Sequence, residues 1–246
     1  MQKKVIIVMP AYNAAKTLQK TYSDIPKKYK KSILLVDDGS HDSTVRKAKR
    51  LGIKTISHPQ NRGYGGNQKT CYTVAVSEKA DIVVMIHPDY QYDATLTEEL
   101  IRPLLQGRED IMLGSRIRTR EEVLSGGMPW WKYAGNRFLT IFENTVLGRN
   151  LSEYHTGLRA YTKETLKVLP FHRFSDDFVF DQELLVSAVY SGLRIGEIPV
   201  PVRYFPDASS ISFMRSVKYG LMTLLTLAKY MIAKTGIVVP AIFIKK

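Results

Sequence analysis

Residues 81–93 read DIVVMIHPDYQYD. Ile82 to Ile86 are apolar without interruption, and the next seven positions carry a histidine, two aspartates, a glutamine and two tyrosines. A short, continuous apolar run reads as a strand buried on both faces, and the polar residues after it are delivered to that strand's carboxyl end. His87 and Asp89 stand two apart, so in extended geometry an imidazole and a carboxylate point to the same side.

Outward from this stretch the same pattern recurs. VIIVM (5–9), ILLV (33–36), KTIS (54–57) and IMLG (111–114) alternate with amphipathic stretches. The spacing predicts helices from about Ala14, Asp42, Asn67 and Ala94. Strand and helix in alternation predict an α/β domain with a mainly parallel central sheet flanked by helices over residues 1–115. In such sheets ligands bind beyond the carboxyl ends of the strands. The segments expected there are PAYN (10–13), DDGS (37–40), HPQNRGYGGN (58–67), HPDYQYD (87–93) and GSR (114–116), all polar or glycine-rich. Taken singly, DDGS reads as a turn, and Asp42 or Ser43 as a helix cap. The glycines after Asn61 follow the third predicted strand and no GK[ST] succeeds them, so they match neither a Rossmann fingerprint nor a P-loop.

After Arg116 the alternation loosens. A helix is expected over about Trp130 to Leu147, a strand in TGLRAYT, a helix from about Asp177 to Tyr190, a strand in LRIGEIPV and a helical end, MRSVKYGLMTLLTLAKYMIAK. These elements are expected to complete the sheet in mixed orientation and to build an acceptor side.

With 44% hydrophobic and 24% charged residues over 246 positions, the chain has the composition of a folded protein large enough to bury a sizeable core. Its lone cysteine, Cys71, cannot form an internal disulfide, which makes a cytoplasmic location the expectation. The apolar run Val5 to Met9 is too short for a signal peptide and reads as the first strand. A net charge of +13 implies an anionic partner: a phosphorylated substrate, an acidic membrane surface or nucleic acid. No nucleic-acid-binding motif accompanies the charge, so no nucleic-acid partner is expected.

PAYN, VDDGSHDST, NRGYGGN, HPDYQYD, GSR, TGLRAY and DDFVFDQELL, in this order and spacing, resemble glycosyltransferase family 2, in particular its polyprenyl-phosphate (dolichyl-phosphate) sugar synthase-like branch. The resemblance covers roughly residues 4–210. It implies a GT-A fold, a nucleotide-diphosphate sugar donor, a divalent metal (Mg²⁺ or Mn²⁺) and inversion at the anomeric carbon. Carried over position by position, it implies that Pro10, Tyr12 and Asn13, with Asp37 or Asp38, hold base and ribose. Asn61, Gly63 and Gly65 would shape the nucleotide pocket. HPD stands at the metal-binding Asp-x-Asp, so Asp89 is the expected metal ligand, with Gln91 nearby and His87 in place of the first aspartate. A cation held by one or two protein groups and by phosphate oxygens suits such a set. Ala14 stands where many relatives have Glu, Tyr154 or His155 where an Asp often precedes TGLR, and Leu158 where Phe is usual.

For the acceptor side the resemblance offers Asp181 and Glu183 in FDQELL as catalytic carboxylates. Two apart on a helix, they do not share a face, and Asp181 is the preferred base. A lipid-phosphate acceptor, already anionic, would need cations rather than a base. Of Arg116, Arg137, Arg159 and Arg203, the family-matched Arg116 and Arg203 are the expected acceptor-phosphate ligands.

The expected organisation is a GT-A domain over 1–210, with a nucleotide-sugar half (1–115) and an acceptor half (116–210), followed by a helical tail over 211–246. No uncharged stretch approaches the roughly 20 residues that span a bilayer. Arg215, Lys218 and Lys229 fall on one helical face with Leu221, Leu224, Leu225 and Met231 largely elsewhere, which predicts a C-terminal amphipathic interfacial helix with its cations toward anionic headgroups. The alternative is that its leucines pack on the catalytic domain. The function expected is metal-dependent sugar transfer from a UDP- or GDP-sugar to polyprenyl phosphate, by an enzyme peripheral on the cytoplasmic face of the membrane. The alternatives are transfer to a glycan or other hydroxyl, and nucleotide-sugar binding without catalysis.

Overall fold

A computed structural model describes residues 3–116, 128–201 and 213–245. Arg203 falls outside these segments. The strands are β1 (Val5–Ala11), β2 (Ile33–Asp37), β3 (Lys54–Ser57), β4 (Ile82–Met85), β5 (Ile111–Ser115), β6 (Arg159–Thr162) and β7 (Ile195–Pro199). They form a sheet in the order β3-β2-β1-β4-β6-β5-β7. The pairs β2–β3, β1–β2, β1–β4 and β5–β7 are parallel, and β6 runs antiparallel to both β4 and β5.

Two-residue alternation sends the strands' apolar side chains to both faces. Ile6, Val8, Leu34, Val36, Val83 and Met85 pack on one side with Tyr72, Phe180 and Leu184. Val5, Ile7, Met9, Leu35, Ile82 and Val84 pack on the other with Leu18, Ala48, Leu100 and Leu104. The edge strands β3 and β7 are the least buried, and β3 starts with a charged Lys54. Charge at an edge discourages further strand addition.

The helices are α1 (Leu18–Asp24), α2 (Thr44–Arg50), α3 (Gly63–Ser77), α4 (Thr97–Leu105), α5 (Trp130–Leu147), α6 (Lys163–Val168), α7 (Phe180–Tyr190) and α8 (Phe213–Lys234). Of the four helices expected in the first half, α1, α2 and α4 begin two to four residues after the expected position. α3 begins four residues before it, because the Asp38 carboxylate on the neighbouring loop accepts the N–H groups of Arg62 and Gly63 at 2.9 and 3.1 Å. That supplies a cap for otherwise orphaned first-turn donors. NRGYGGN therefore opens a helix instead of forming a free loop.

Strand order reverses between β1 and β4, and the carboxyl ends of both lie at this switch point. Because β6 is antiparallel, its first residue, Arg159, pairs with Met85 at the same edge. TGLR thereby joins the segments that follow β1, β2, β4 and β5. α8 buries Thr223, Thr226, Leu227, Tyr230 and Ala233, and Leu227 and Tyr230 belong to the same core as β1 and β4. Among the described residues no helix is long and apolar enough to cross a membrane.

Candidate active site

The segment after β4 is built around a left-handed residue. Tyr90 has φ of 63°, unusual for a bulky side chain. Asp89 Oδ1 accepts the Gln91 N–H at 3.1 Å across it. Thr17 Oγ1 donates to the Pro88 carbonyl at 2.6 Å, and Tyr92 Oη accepts the Gly157 N–H at 2.7 Å. The loop is thus pinned to the start of α1 and to TGLR, with Asp89 at its turn.

His87 sits over Gly157, where an added Cβ would lie 2.8 Å from its Cδ2 and 3.2 Å from its Nε2. Only glycine leaves room for the ring. Tyr64 Oη lies 3.2 Å from His87 Nε2 and donates to Asp181 Oδ2 at 2.6 Å. Gln68 Nε2 donates to Asp181 Oδ1 at 3.0 Å, and Tyr72 Oη donates to Gln68 Oε1 at 2.6 Å. Burial holds the His87 imidazole below its ordinary pKa against the opposing pull of Asp89 and Asp181.

Arg159, one of the guanidiniums available for phosphate, is fully buried. Its guanidinium donates to the carbonyls of Thr156, Tyr154 and Asp181 at 2.7, 3.0 and 3.2 Å and lies 3.5 Å from Asp181 Oδ2. It holds TGLR to α7. Glu183, on a different face of α7, accepts the Ser175 N–H at 2.6 Å and lies 4.0 Å from Lys229. The two carboxylates serve different places, as their spacing predicts.

Asp37 and Asp38 also divide. Asp38 takes His58 Nδ1 at 2.7 Å and the Arg62 and Gly63 amides, so it organises α3. Asp37 accepts the Ser40 N–H through Oδ2, while its buried Oδ1 has no hydrogen-bond partner among the described residues. Such an atom is costly unless a ligand satisfies it. Pro10 is buried inside β1, Tyr12 beyond its end is half-exposed, and Asn13 bridges to the neighbouring loop by accepting the His41 N–H at 2.9 Å. Asn61 Oδ1 accepts the Gly63 N–H at 3.0 Å.

Gly63 and Gly65 face protein. A Cβ on Gly63 would meet the Asp176 carbonyl oxygen at 2.6 Å, and one on Gly65 the Ser175 carbonyl oxygen at 2.3 Å, while Gly65 N–H donates to Asp176 O at 2.8 Å. Their role is close approach of α3 to the segment before α7, which brings Tyr64 and Gln68 onto Asp181. Gly65→Ala is expected to cost about 1–3 kcal/mol, since backbone atoms must separate. Gly135→Ala in α5, with open space around it, is expected to be neutral or slightly stabilising. Urea unfolding of the two variants measures both.

Arg116, at the end of β5, donates from its backbone N–H and Nε to the buried Glu153 at 2.9 Å and from Nη2 to the His155 carbonyl at 2.6 Å. Burial pushes the Glu153 carboxyl up, but the Arg116 guanidinium outweighs it and leaves the group below the usual carboxylate range. His155 Nδ1 lies 2.8 Å from Tyr219 Oη of α8, and its Nε2 lies 3.1 Å from Glu143 Oε2 at ion-pair distance. Arg137 donates to the Ser152 carbonyl.

The geometry therefore gathers the ends of four parallel strands, TGLR and the first turn of α7 at one polar edge of the sheet. The profile of glycosyl transferase family 2 matches residues 6–169.

The chain belongs to glycosyl transferase family 2.

As a family member it is a glycosyltransferase with a nucleotide-sugar-binding fold. It is 30% identical over 201 residues to an uncharacterized protein of Methanocaldococcus jannaschii, covering 82% of each chain. It is 29% identical over 219 residues to a UDP-N-acetylglucosamine–dolichyl-phosphate N-acetylglucosaminyltransferase of Methanococcus voltae, covering 82% of this chain and 86% of that one. Glucosyl-3-phosphoglycerate synthase from Mycobacterium tuberculosis, solved with Mn²⁺, UDP and glucosyl-3-phosphoglycerate, superposes with a TM-score of 0.70 at 20% identity, covering 93% of this chain and 80% of that one. The shared fold is GT-A.

Tyr64, Gln68, Glu153 and Glu143 are site-forming residues that sequence reasoning missed. Tyr64 carried a signal, an aromatic ring inside a glycine cluster. The others are polar residues within helical or loop patterns, and only their partners reveal them.

Proposed function

We propose that this glycosyltransferase moves a sugar, with inversion, from a UDP- or GDP-sugar to a polyprenyl (dolichyl-type) phosphate at a membrane surface. The observation that carries the acceptor is the state of Asp181. Both of its oxygens are engaged by donors from α3, Gln68 and Tyr64, with Arg159 beside them, and Glu183 is engaged elsewhere. A hydroxyl acceptor needs a general base. A phosphate acceptor arrives ionised and needs none. The Methanococcus voltae relative's name, a dolichyl-phosphate N-acetylglucosaminyltransferase, supports the same acceptor class.

The donor's base and ribose are assigned to Asp37 Oδ1 and the Tyr12 ring, with Pro10, Asn13, Asp38 and Asn61 shaping the loops that hold them. Asp89, His87 and Gln91 supply a carboxylate, an imidazole and a carboxamide for a divalent cation. The described residues contain no cluster of three or more His, Cys, Asp or Glu side chains able to enclose a metal. That donor set fits Mg²⁺ or Mn²⁺ bound mainly through the donor diphosphate and water. When bound, such an ion offsets the charge that develops on the leaving nucleotide. Arg116 lies at the same edge, but Glu153 balances its charge, so an acceptor phosphate requires a further cation beside it. Arg203 is the candidate from the sequence.

The tail, residues 211–246, is assigned to the bilayer surface. At about 100° per residue, Met214, Val217, Leu221, Leu225 and Ile232 share one face of α8, opposite the buried Thr223, Leu227 and Tyr230. Met214 is 73% and Leu221 63% exposed, and on α5 Trp130, Phe138 and Ile141 are 74%, 63% and 61% exposed. Lys218 pairs with Asp177 at 2.6 Å while its side chain stays largely exposed, and Lys229 lies 4.0 Å from Glu183. Apolar insertion is the larger part of binding, and the net charge of +13 favours the anionic cytoplasmic leaflet.

The test is transfer of labelled sugar from a panel of UDP- and GDP-sugars, with polyprenyl phosphate and Mn²⁺ or Mg²⁺, into an organic-extractable product. Label in the organic phase from one donor is the expected result. Label only on soluble glycan or hydroxyl acceptors would overturn the lipid-phosphate assignment. Nucleotide binding without transfer to any acceptor would overturn this acceptor and donor pairing.

A further inference from the structure

We propose that Tyr64 and Asp181 are positioning residues that hold His87 as its Nε2–H tautomer, so that Nδ1 is the nitrogen presented to a divalent cation shared with Asp89. This deepens the proposed donor chemistry and rests on it for the presence of a diphosphate-bound cation.

A tyrosine hydroxyl has one proton to donate. Tyr64 gives it to Asp181 Oδ2 at 2.6 Å, the short distance of a charge-assisted bond, and an ionised carboxylate beside Arg159 has none to return. The contact of 3.2 Å between Tyr64 Oη and His87 Nε2 is then satisfied only if the imidazole donates. A neutral ring protonated at Nε2 keeps its lone pair on Nδ1.

Packing sets the direction. The Cδ2–Nε2 edge of the ring faces Gly157 and Tyr64, so the Nδ1 edge lies on the ring's other side. The Tyr64 ring is itself held between His87 and Phe178, with centroid distances of 5.5 and 4.8 Å. Asp181 cannot turn away without losing Gln68, which is fixed in turn by Tyr72. His87 thus has the outer-shell arrangement of a metal-binding histidine, whose remaining N–H is donated to a fixed acceptor. It also explains why a carboxylate on α7 is buried against α3: Asp181 acts on the donor side of the site through Tyr64.

A nitrogen ligand has a consequence that a second carboxylate would not. Imidazole favours later first-row ions over Mg²⁺, so wild-type protein should prefer Co²⁺ and Mn²⁺, and His87→Asp should shift the preference toward Mg²⁺. The decisive measurement is pulsed EPR on Mn²⁺ bound to the full chain with UDP and, separately, with GDP. A ¹⁴N coupling of imidazole type in wild type, absent in His87→Asp, is the expected result. Tyr64→Phe should weaken nucleotide-dependent Mn²⁺ binding about tenfold in the wild-type background, with little change in the His87→Asp background.

Mn²⁺ binding without ¹⁴N coupling would overturn the assignment while leaving sugar transfer, assayed separately, intact. Equal losses from Tyr64→Phe in both backgrounds would also overturn it, because they would make Tyr64 a packing residue only. Failure of both nucleotides to bring Mn²⁺ onto the protein, together with absent sugar transfer, would overturn the donor reading as well.

Discussion

Asp89→Asn is expected to lower kcat for sugar transfer by about 10²- to 10³-fold, or roughly 3–4 kcal/mol of barrier, the cost of removing one preorganised electrostatic stabiliser. Asparagine retains an Oδ1 that can accept the Gln91 N–H, so the turn at Tyr90 should persist. On the proposed function, what is lost is a negative charge at the place assigned to the donor diphosphate and its cation. The variant should therefore melt close to wild type while its rate collapses. Steady-state kinetics beside a thermal scan separates the two. A rate within a fewfold of wild type would mean that the leaving nucleotide is stabilised by other groups.

Arg159→Met is expected to destabilise the fold by about 3–5 kcal/mol, the cost of breaking a buried ion pair by removing one partner. The guanidinium supplies hydrogen bonds to three carbonyl oxygens and lies beside Asp181, both residues being buried. Without it, Asp181 becomes an uncompensated buried charge and the carbonyls of Tyr154 and Thr156 lose a donor. For a chain of this size the melting temperature should fall by roughly 10 °C or more. Adding Asp181→Asn to Arg159→Met should recover part of the loss, because the orphaned charge is gone. Urea unfolding of the single and double variants measures the coupling. An additive double variant would show that Arg159 acts only through the carbonyls.

Much of the candidate site was legible in the sequence. The apolar runs at 5–9, 33–36 and 82–86 predict buried parallel strands, and polar clusters directly after them mark the ligand side. His87, Asp89 and Asp37 are visible for that reason. Three features depend on contacts that the sequence reading does not contain. Gly63 and Gly65 belong to the first turn of α3 and make room for Ser175 and Asp176, more than a hundred residues later in sequence. Arg159 is a buried brace, because β6 runs antiparallel and places it against Asp181. On α8, Lys218 pairs with Asp177 and Lys229 approaches Glu183, while Leu221 and Leu225 stay exposed. In each case the deciding partner is distant in sequence, and helical or strand period alone carries no information about it.

The sequence by itself determined the class of fold and the family, because periodicity and ordered local motifs are properties of neighbouring residues. Only the tertiary structure decided which carboxylates are committed to the protein and which remain for a ligand. Asp38, Asp181 and Glu153 are satisfied by His58, Tyr64 and Arg116. Asp37 keeps a buried oxygen without a protein partner among the described residues. Hydrogen bonds and ion pairs depend on distances between side chains that folding alone brings together, and a buried charge is shaped by those partners more than by its place in the chain.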